Sequence, residues 1–195
     1  MENWIDKLDI TQIDLNELLD SNPSLRGMIM GYMAEIKLKN EWFEDSRIQS
    51  IYKPDDHNRD IKADWIIKYK DKKYSIEVKS VQTNSIKRAK NNSDNFLKGK
   101  FQCDASDSRV IKVNDNKIKT TCLKKGCFDI LAVNLYPFTG NWEFAFISNN
   151  KLPTTNYHKY DEEIKNNLLK GSIHISYPIS EPFYDNPYKL LDNLN

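Results

Sequence analysis

The chain has 195 residues, of which 39% are hydrophobic and 29% charged, with a formal net charge of +1. That length supports one domain with a proper core and is too short for two full catalytic domains, while the composition excludes a disordered or membrane-spanning class. The longest apolar run, "FDILAVNLY", is about half of what a membrane span needs, and the acidic opening "MENWIDKLDI" lacks the basic and apolar regions of a signal peptide, so a cytoplasmic protein is expected.

The small net charge hides a segregation. Residues 1–25 carry −5, residues 26–59 balance, residues 60–125 carry +9, and residues 126–195 carry −3. A strongly basic middle segment points to a polyanionic partner, because Lys and Arg attract phosphates. The alternative is an ordinary solvated Lys-rich surface. Three cysteines, Cys103, Cys122 and Cys127, are an odd number without an export signal, so no disulfide framework is expected.

In chain order, "ITQIDLNELLD" reads as a short amphipathic helix, and "SNPSLRGMIMGYMAEIKLKNEWFED" as a long one capped by Ser21 or Asn22 with Pro23 in its first turn. Leu25, Ile29, Tyr32, Ile36 and Phe43 recur at helical spacing and predict its buried stripe. Glu35 lies about 80° from the centre of that stripe and flanks the core. It either reaches a site at the helix edge or pairs with Lys39, four residues on. A polar connector, "YKPDDHNRDIK", leads to two short strands in "KADWIIKYKDKKYSIEVKSVQ", residues 62–82.

Side chains in strands alternate faces, so a turn at Asp71 and Lys72 predicts that Asp64 faces Lys79 and Ile66 faces Glu77. One face then carries Asp64, Ile66, Lys68, Ser75, Glu77 and Lys79, and the other, apolar, face carries Trp65, Ile67, Tyr69, Tyr74, Ile76 and Val78. Only an even loop keeps Glu77 on the polar face.

Downstream, "NSIKRAKNNSDNFLKGK" predicts a helix with a mobile loop, "SRVIKVNDNKIKTTCL" a hairpin turning at 114–116, "CFDILAVNLY" a strand buried on both faces, and "WEFAFIS" its successor. A helix in "YDEEIKNNLLK", a strand in "SIHISYPI" and a Pro-containing tail close the chain. The order predicts one α/β (α+β) domain over residues 1–195, a central mixed sheet flanked by helices. Its parts are N-terminal helices 8–45, the hairpin 62–82, the basic segment 83–125, core strands 126–148, and a C-terminal helix and tail 157–195.

Two carboxylates a few ångströms apart repel by roughly 4 kcal/mol at an effective dielectric near 20. A divalent cation removes that cost. Asp64 and Glu77, with the main-chain carbonyl of Val78, could supply part of a Mg²⁺ shell that phosphodiester oxygens and water complete. Lys79 would orient or deprotonate the attacking water, or stabilise charge on the phosphorus oxygens. Glu35 could position a second metal or its water. The alternative for the hairpin is an ordinary amphipathic pair with an Asp64–Lys79 salt bridge. Around it, Lys87, Arg88, Lys98 and Lys100 would meet phosphates. In "FQCDASDSR", the side chains of Gln102, Asp104, Ser106, Ser108 and Arg109 could read base edges, or form a plain polar loop.

An acid, a hairpin spacer, "EVK" with its Glu-x-Lys, and a preceding helix bearing Glu35 together resemble the PD-(D/E)xK nuclease superfamily, to which many type II restriction endonucleases belong. The match runs over residues 24–82, with Asp64 as first acid, Glu77 as second, Lys79 as the lysine and Glu35 as the helical acid. Ala63 stands where the pattern's name has proline. The resemblance implies a restriction-endonuclease-like core and an Mg²⁺-dependent endonuclease of restriction type acting on double-stranded DNA. It would most simply be a homodimer with one site per strand, and a cognate DNA methyltransferase would be a possible partner. A non-catalytic nucleic-acid-binding protein of the same fold and a repair or junction-cleaving nuclease are the alternatives.

Overall fold

The computed structural model describes residues 3–55, 63–88, 96–113 and 116–194, without the side chains of Ser106, Asp107, Arg109 and Asn116. Three helices come first: α1 (Trp4–Lys7), α2 (Gln12–Ser21) and α3 (Pro23–Leu38). The Thr11 side chain accepts from the Asp14 N–H and Asp14 returns the bond to Thr11, which fixes where α2 starts. Pro23 opens α3 as expected, and one π turn, Lys39–Phe43, ends it.

The core stripe of α3 differs from the expected one. Ala34 and Leu38 are fully buried and Phe43 nearly so, but Ile29, Tyr32 and Ile36 are 36%, 50% and 46% exposed. The helix is apolar on two sides, and the side bearing Ala34 and Leu38 is the one that joins the core of the sheet.

The next element, β1 (Ile48–Tyr52), is a strand that the polar connector obscured. It pairs antiparallel with β2 (Trp65–Tyr69), and β2 with β3 (Lys72–Ser80). Lys70 and Asp71 have φ of 47° and 63°, the conformation of a two-residue turn whose twist matches that of the flanking strands. The register is Tyr69 opposite Lys72 and Trp65 opposite Ile76. The turn thus sits one residue earlier than expected, and pairing slips by two. An even slip preserves every face, but it removes the expected Asp64–Lys79 and Ile66–Glu77 pairings.

Beyond β3, β4 (Lys87–Arg88) and β5 (Leu97–Gln102) replace the helix expected in this segment, whose residues 89–95 lie outside the described ones. Strands β6 (Asp104–Val113) and β7 (Asn116–Cys122) form the expected hairpin, with its turn residues 114–115 outside the described ones. Every residue of β8 (Ile130–Asn134) and β9 (Phe144–Ser148) is buried. A short α4 (Tyr136–Thr139) joins them; α5 (Glu162–Asn167) and β10 (Ser172–Tyr177) follow. The tail closes with α6 (Pro187–Leu194), a helix that its prolines concealed.

The central sheet has the order β1-β2-β3-β8-β9; β3 and β8 run parallel and the other neighbours antiparallel. This is the mixed α+β architecture that the element order predicts. One face of the sheet packs Ile67, Tyr69, Ile76, Ile130 and Phe146 against α3 and α6. The other packs Leu131, Val133, Ala145 and Ile147 against Phe101, Ile173 and Ile175 of a second sheet, β10-β5-β4. Gly99 permits that contact, since a Cβ there would lie 2.9 Å from Phe138 Cζ and 3.0 Å from Val81 Cγ1. Among the described residues no helix is long and apolar enough to cross a membrane.

Candidate active site

Strand β3 leaves the centre of the sheet carrying Glu77 and Lys79 on the face turned away from α3. Parallel pairing with β8 sets Leu131 beside Glu77 and Val133 beside Lys79, so both charged groups stand next to fully buried aliphatic side chains. Glu77 itself is only 9% exposed. Its Oε1 lies 2.7 Å from Lys79 Nζ. The lysine is therefore paired with the acid two residues before it, on the same face, and not with Asp64.

Asp64 approaches from the start of β2. Its N–H donates to the Ile76 carbonyl at 2.8 Å, and its Oδ2 accepts from the Val78 N–H at 2.6 Å. These two bonds stitch the acid to β3 beyond the last regular pair. Burial, then the Glu77 carboxylate, then Glu35, push the Asp64 carboxyl up to about 8, against the Val78 bond and Lys79, which lower it. Burial works against the Lys79 ammonium, yet Glu77, by charge and hydrogen bond, and Asp64 behind it, hold the lysine above its ordinary value. A depressed lysine, which a role as base requires, is not what this pairing produces.

Glu35 reaches the same neighbourhood from α3. Its carbonyl accepts from Trp65 Nε1 at 3.1 Å, which pins the helix to the residue after Asp64. Its carboxylate accepts from Lys53 Nζ at 2.7 Å. Lys39, the expected alternative partner, pairs with Glu44 at 2.8 Å. Val78 points its side chain into the α3-side core and lies on the backbone between the two charged residues.

Two further groups stand close by. Burial raises the Asp104 carboxyl while Lys79 opposes it, so Asp104 belongs electrostatically to this site. Cys103 is fully buried. Its thiol is pushed up to about 12 chiefly by that burial, with Lys79 countering. The sequence signal for Asp104 was weak, because β6 begins more than twenty residues beyond Lys79 and reaches it only through the second sheet.

The basic residues gather on that second sheet. Lys87 pairs with Lys98, Lys100 with His174, and Gln102 with Ser172. By strand alternation Lys98, Lys100 and Gln102 share one face, opposite to Phe101, which enters the core. Like charges directly across a ladder are unfavourable on their own, and Lys87 and Lys98 are both exposed. Arg88 is also exposed, opposite Leu97 and so on the alternate face. Arg109 lies on β6 opposite Thr120, away from this group, and its side chain and that of Ser106 are outside the described ones. His174 is an exposed member of the face that strand pairing alone brings in. The face joins the acidic cluster through the residues that follow β3, since Val81 bridges to Phe101 and the Gln82 N–H donates to the Lys100 carbonyl at 2.9 Å.

No family model and no curated protein matches the chain. A solved structure of a bacterial homing endonuclease, I-Ssp6803I, is similar over 75% of this chain and 89% of its own, at 13% identity and a TM-score of 0.36. A likeness this distant assigns no function, and the chemistry of the site is carried by its own side chains.

The donors that converge here are hard oxygens. Among the described residues, no three His, Cys, Asp or Glu side chains group closely enough to hold an ion unaided. Mg²⁺ needs only one or two carboxylates, with waters and substrate phosphate filling its octahedron. Asp64, held near Glu77 with both desolvated, is a donor pair of that kind.

Proposed function

We propose that the protein is an Mg²⁺-dependent endonuclease that hydrolyses phosphodiester bonds in double-stranded DNA. The observation that carries this reading is the convergence of half-buried Asp64 and buried Glu77, with Lys79 fixed 2.7 Å from Glu77. Desolvated acids crowded in this way destabilise the fold unless a cation joins them. The basic face of the second sheet, continuous with the end of β3, supports a polyanionic substrate.

Asp64 and Glu77, with the carbonyl of Val78, are the residues that would hold the ion. When bound, Mg²⁺ supplies a Lewis acid that activates water and neutralises the scissile phosphate. Val78, through its N–H bond to Oδ2, fixes the Asp64 rotamer. Glu77 draws Lys79 into the site as an ammonium, which stabilises charge on the phosphorus oxygens as the water oxygen joins phosphorus and the leaving P–O bond breaks. Glu35, tied to Lys53, sets the electrostatic edge next to Asp64. Lys87, Lys98 and Lys100 engage the backbone phosphates, and Gln102 lies on the same face, where it would meet base edges. Sequence-specific cutting of restriction type, with a methyltransferase protecting host sites, completes the proposal.

Incubating supercoiled plasmid with the protein tests this. Linear or nicked product is expected with Mg²⁺, and neither with chelator or with Asp64→Asn. If the wild type retains duplex without cutting it in Mg²⁺ or Mn²⁺, the non-catalytic binding reading replaces this one.

A further inference from the structure

The hairpin β6–β7 is a two-stranded sheet of its own, in a ladder with no other strand among the described residues. Its register assigns every paired residue to one of two sides. Arg109 pairs with Thr120, Ile111 with Ile118 and Val113 with Asn116 on one side, and Val110 with Lys119 and Lys112 with Lys117 on the other. The first side is seated. Val113 is 1% and Thr120 6% exposed, and Ile111, Val113 and Ile118 pack on Tyr160, Ile164 and Leu168 in a small core separate from the two that flank the central sheet. The second side is open. Lys112, Lys117 and Lys119 are exposed, and Val110, on the same side, is 66% exposed. Lysines directly opposite each other repel, and none of these three is in an ion pair with an acid among the described residues.

We infer that the open side of this ribbon lies in the major groove of duplex DNA, as a contact surface beyond the lysines of β4 and β5. The choice of DNA as partner rests on the proposed nuclease function, and the mode of docking rests on the ribbon. Two strands about 4.8 Å apart fit a groove about 12 Å wide, and not the minor groove at about 6 Å. Lys112 on one strand, and Lys117 and Lys119 on the other, then meet phosphates on the two walls of the groove. Val110 faces the floor, where the C5-methyl of thymine is the apolar group that the major groove offers. An anionic membrane would also attract the lysines, but one valine supplies too little apolar surface to insert.

The ribbon also extends the first DNA-facing surface. Only Cys103 separates β5 from β6, and an extended chain from Lys100 to Lys112 reaches at most about 40 Å. The irregular register between Asp104 and Arg109 bends and shortens that path. The β5 end adjoins the residues that follow Lys79, through Val81 and Gln82. The groove contact therefore falls within about one helical turn, 34–36 Å, of the scissile phosphate.

Binding measured in chelator tests the inference without any cutting. The probes are a labelled alternating dA–dT duplex and its dA–dU counterpart, which lacks the major-groove methyl, read by fluorescence anisotropy. Wild type should prefer dA–dT by about 4-fold, the worth of one buried methyl group, and Val110→Ser should bind the two alike. Lys112→Gln/Lys117→Gln/Lys119→Gln should lower the slope of log affinity against log salt by roughly 2 to 3, with unchanged circular dichroism. Lys112→Arg/Lys117→Arg/Lys119→Arg should keep the wild-type slope. Equal binding of the two duplexes by wild type, a preference that survives in Val110→Ser, or an unaltered slope in the glutamine variant overturns the inference. Retention on anionic vesicles that needs the three lysines, without duplex binding, also overturns it and gives the ribbon to a membrane. A plasmid assay separates this failure from that of the nuclease reading. A protein that shows both binding effects and never cuts refutes the function alone, and one that cuts in Mg²⁺ and shows neither refutes the groove contact alone.

Discussion

Lys79 and Glu77, two residues apart on one strand, put their charged atoms 2.7 Å from each other on the side of the sheet that faces the second core. Such a pair offsets the repulsion between Glu77 and its neighbour Asp64, and under the proposed function it presents the ammonium to the scissile phosphate. Lys79→Met removes both services. Cleavage should fall about 10²- to 10³-fold, the usual loss when one preorganised charge stabiliser is deleted. The metal-free protein should also melt earlier, because Glu77 is left buried without its cation. Turnover assays and thermal melts on the same preparation check the two outcomes together; a variant that loses neither removes Lys79 from the site.

Asp64→Asn should have the opposite effect on stability. An amide oxygen can still accept the Val78 N–H bond that Asp64 Oδ2 makes at 2.6 Å, while the variant escapes the cost of a carboxyl that, pushed up to about 8, must either ionise beside Glu77 and Glu35 or take up a proton on folding. In chelator the variant should be more stable than wild type by on the order of 1 kcal/mol or more, with no cleavage in Mg²⁺. Added Mg²⁺ should raise the melting temperature of wild type and leave that of Asp64→Asn nearly unmoved. Equal metal-induced shifts in both proteins would show that the ion is bound elsewhere.

The faces of the hairpin were legible in the sequence because alternation survives any even slip, which is why Trp65, Ile67, Tyr69, Tyr74 and Ile76 all lie on the α3 side as expected. The pairing was not legible. Lys70 and Asp71 both take positive φ, a conformation that Asp tolerates but Lys does not announce, so the turn moved by one and Asp64 came beside Glu77 in place of Lys79. The strand β8 was unmistakable, as a run buried on both faces leaves no periodicity to misread. Strand β5 was hidden because its outward residues, Lys98, Lys100 and Gln102, alternate with only Leu97, Gly99 and Phe101, a pattern swamped by the polar residues before it. Of the α3 stripe, Ile29, Tyr32 and Ile36 face away from the sheet, while Phe43 enters the core. Residue pattern reports that a face must be covered, and says nothing of what covers it.

Gly99 shows how tightly the second sheet is seated. With Phe138 and Val81 within 3.0 Å of the position a Cβ would take, Gly99→Ala should push β5 outward and destabilise the protein by about 1–3 kcal/mol. The displaced strand carries Lys98 and Lys100, so DNA affinity should fall as well. Denaturant melts and binding isotherms measure the two effects, and an unchanged midpoint would mean that Phe138 rotates away freely.

Cys103 gives the pH dependence its sign. Its thiol in the folded protein holds its proton up to about 12, whereas an unfolded cysteine releases it near about 8.5. Between those values the folded state binds more protons than the unfolded state, so this group's contribution is present in full below about 8.5 and is lost as pH rises toward 12. Thermal stability of wild type should therefore decline more steeply above about pH 8.5 than that of Cys103→Ala, even though the alanine variant is the less stable at neutral pH. The same burial predicts that Cys103 resists alkylation at about pH 8 until denaturant is added. Rapid labelling of the native protein at Cys103, read by peptide mass, would contradict the burial.

The basic face is tested by salt. Lys87 and Lys98 oppose each other across β4 and β5, and Lys100 follows two residues along. Every phosphate that a lysine no longer neutralises takes about 0.9 from the slope of log affinity against log salt for duplex DNA. Lys87→Gln/Lys98→Gln/Lys100→Gln should therefore flatten that slope by roughly 2 to 3 and weaken binding to all sequences alike, because backbone contacts carry no sequence information. Gln102→Ala, on the same face, should leave the slope where it is and change only the preference between sequences. The contrast separates two roles that a single affinity would merge. A triple variant with an unaltered slope would assign these lysines to plain surface, and the DNA path would then have to cross the acidic cluster from another side.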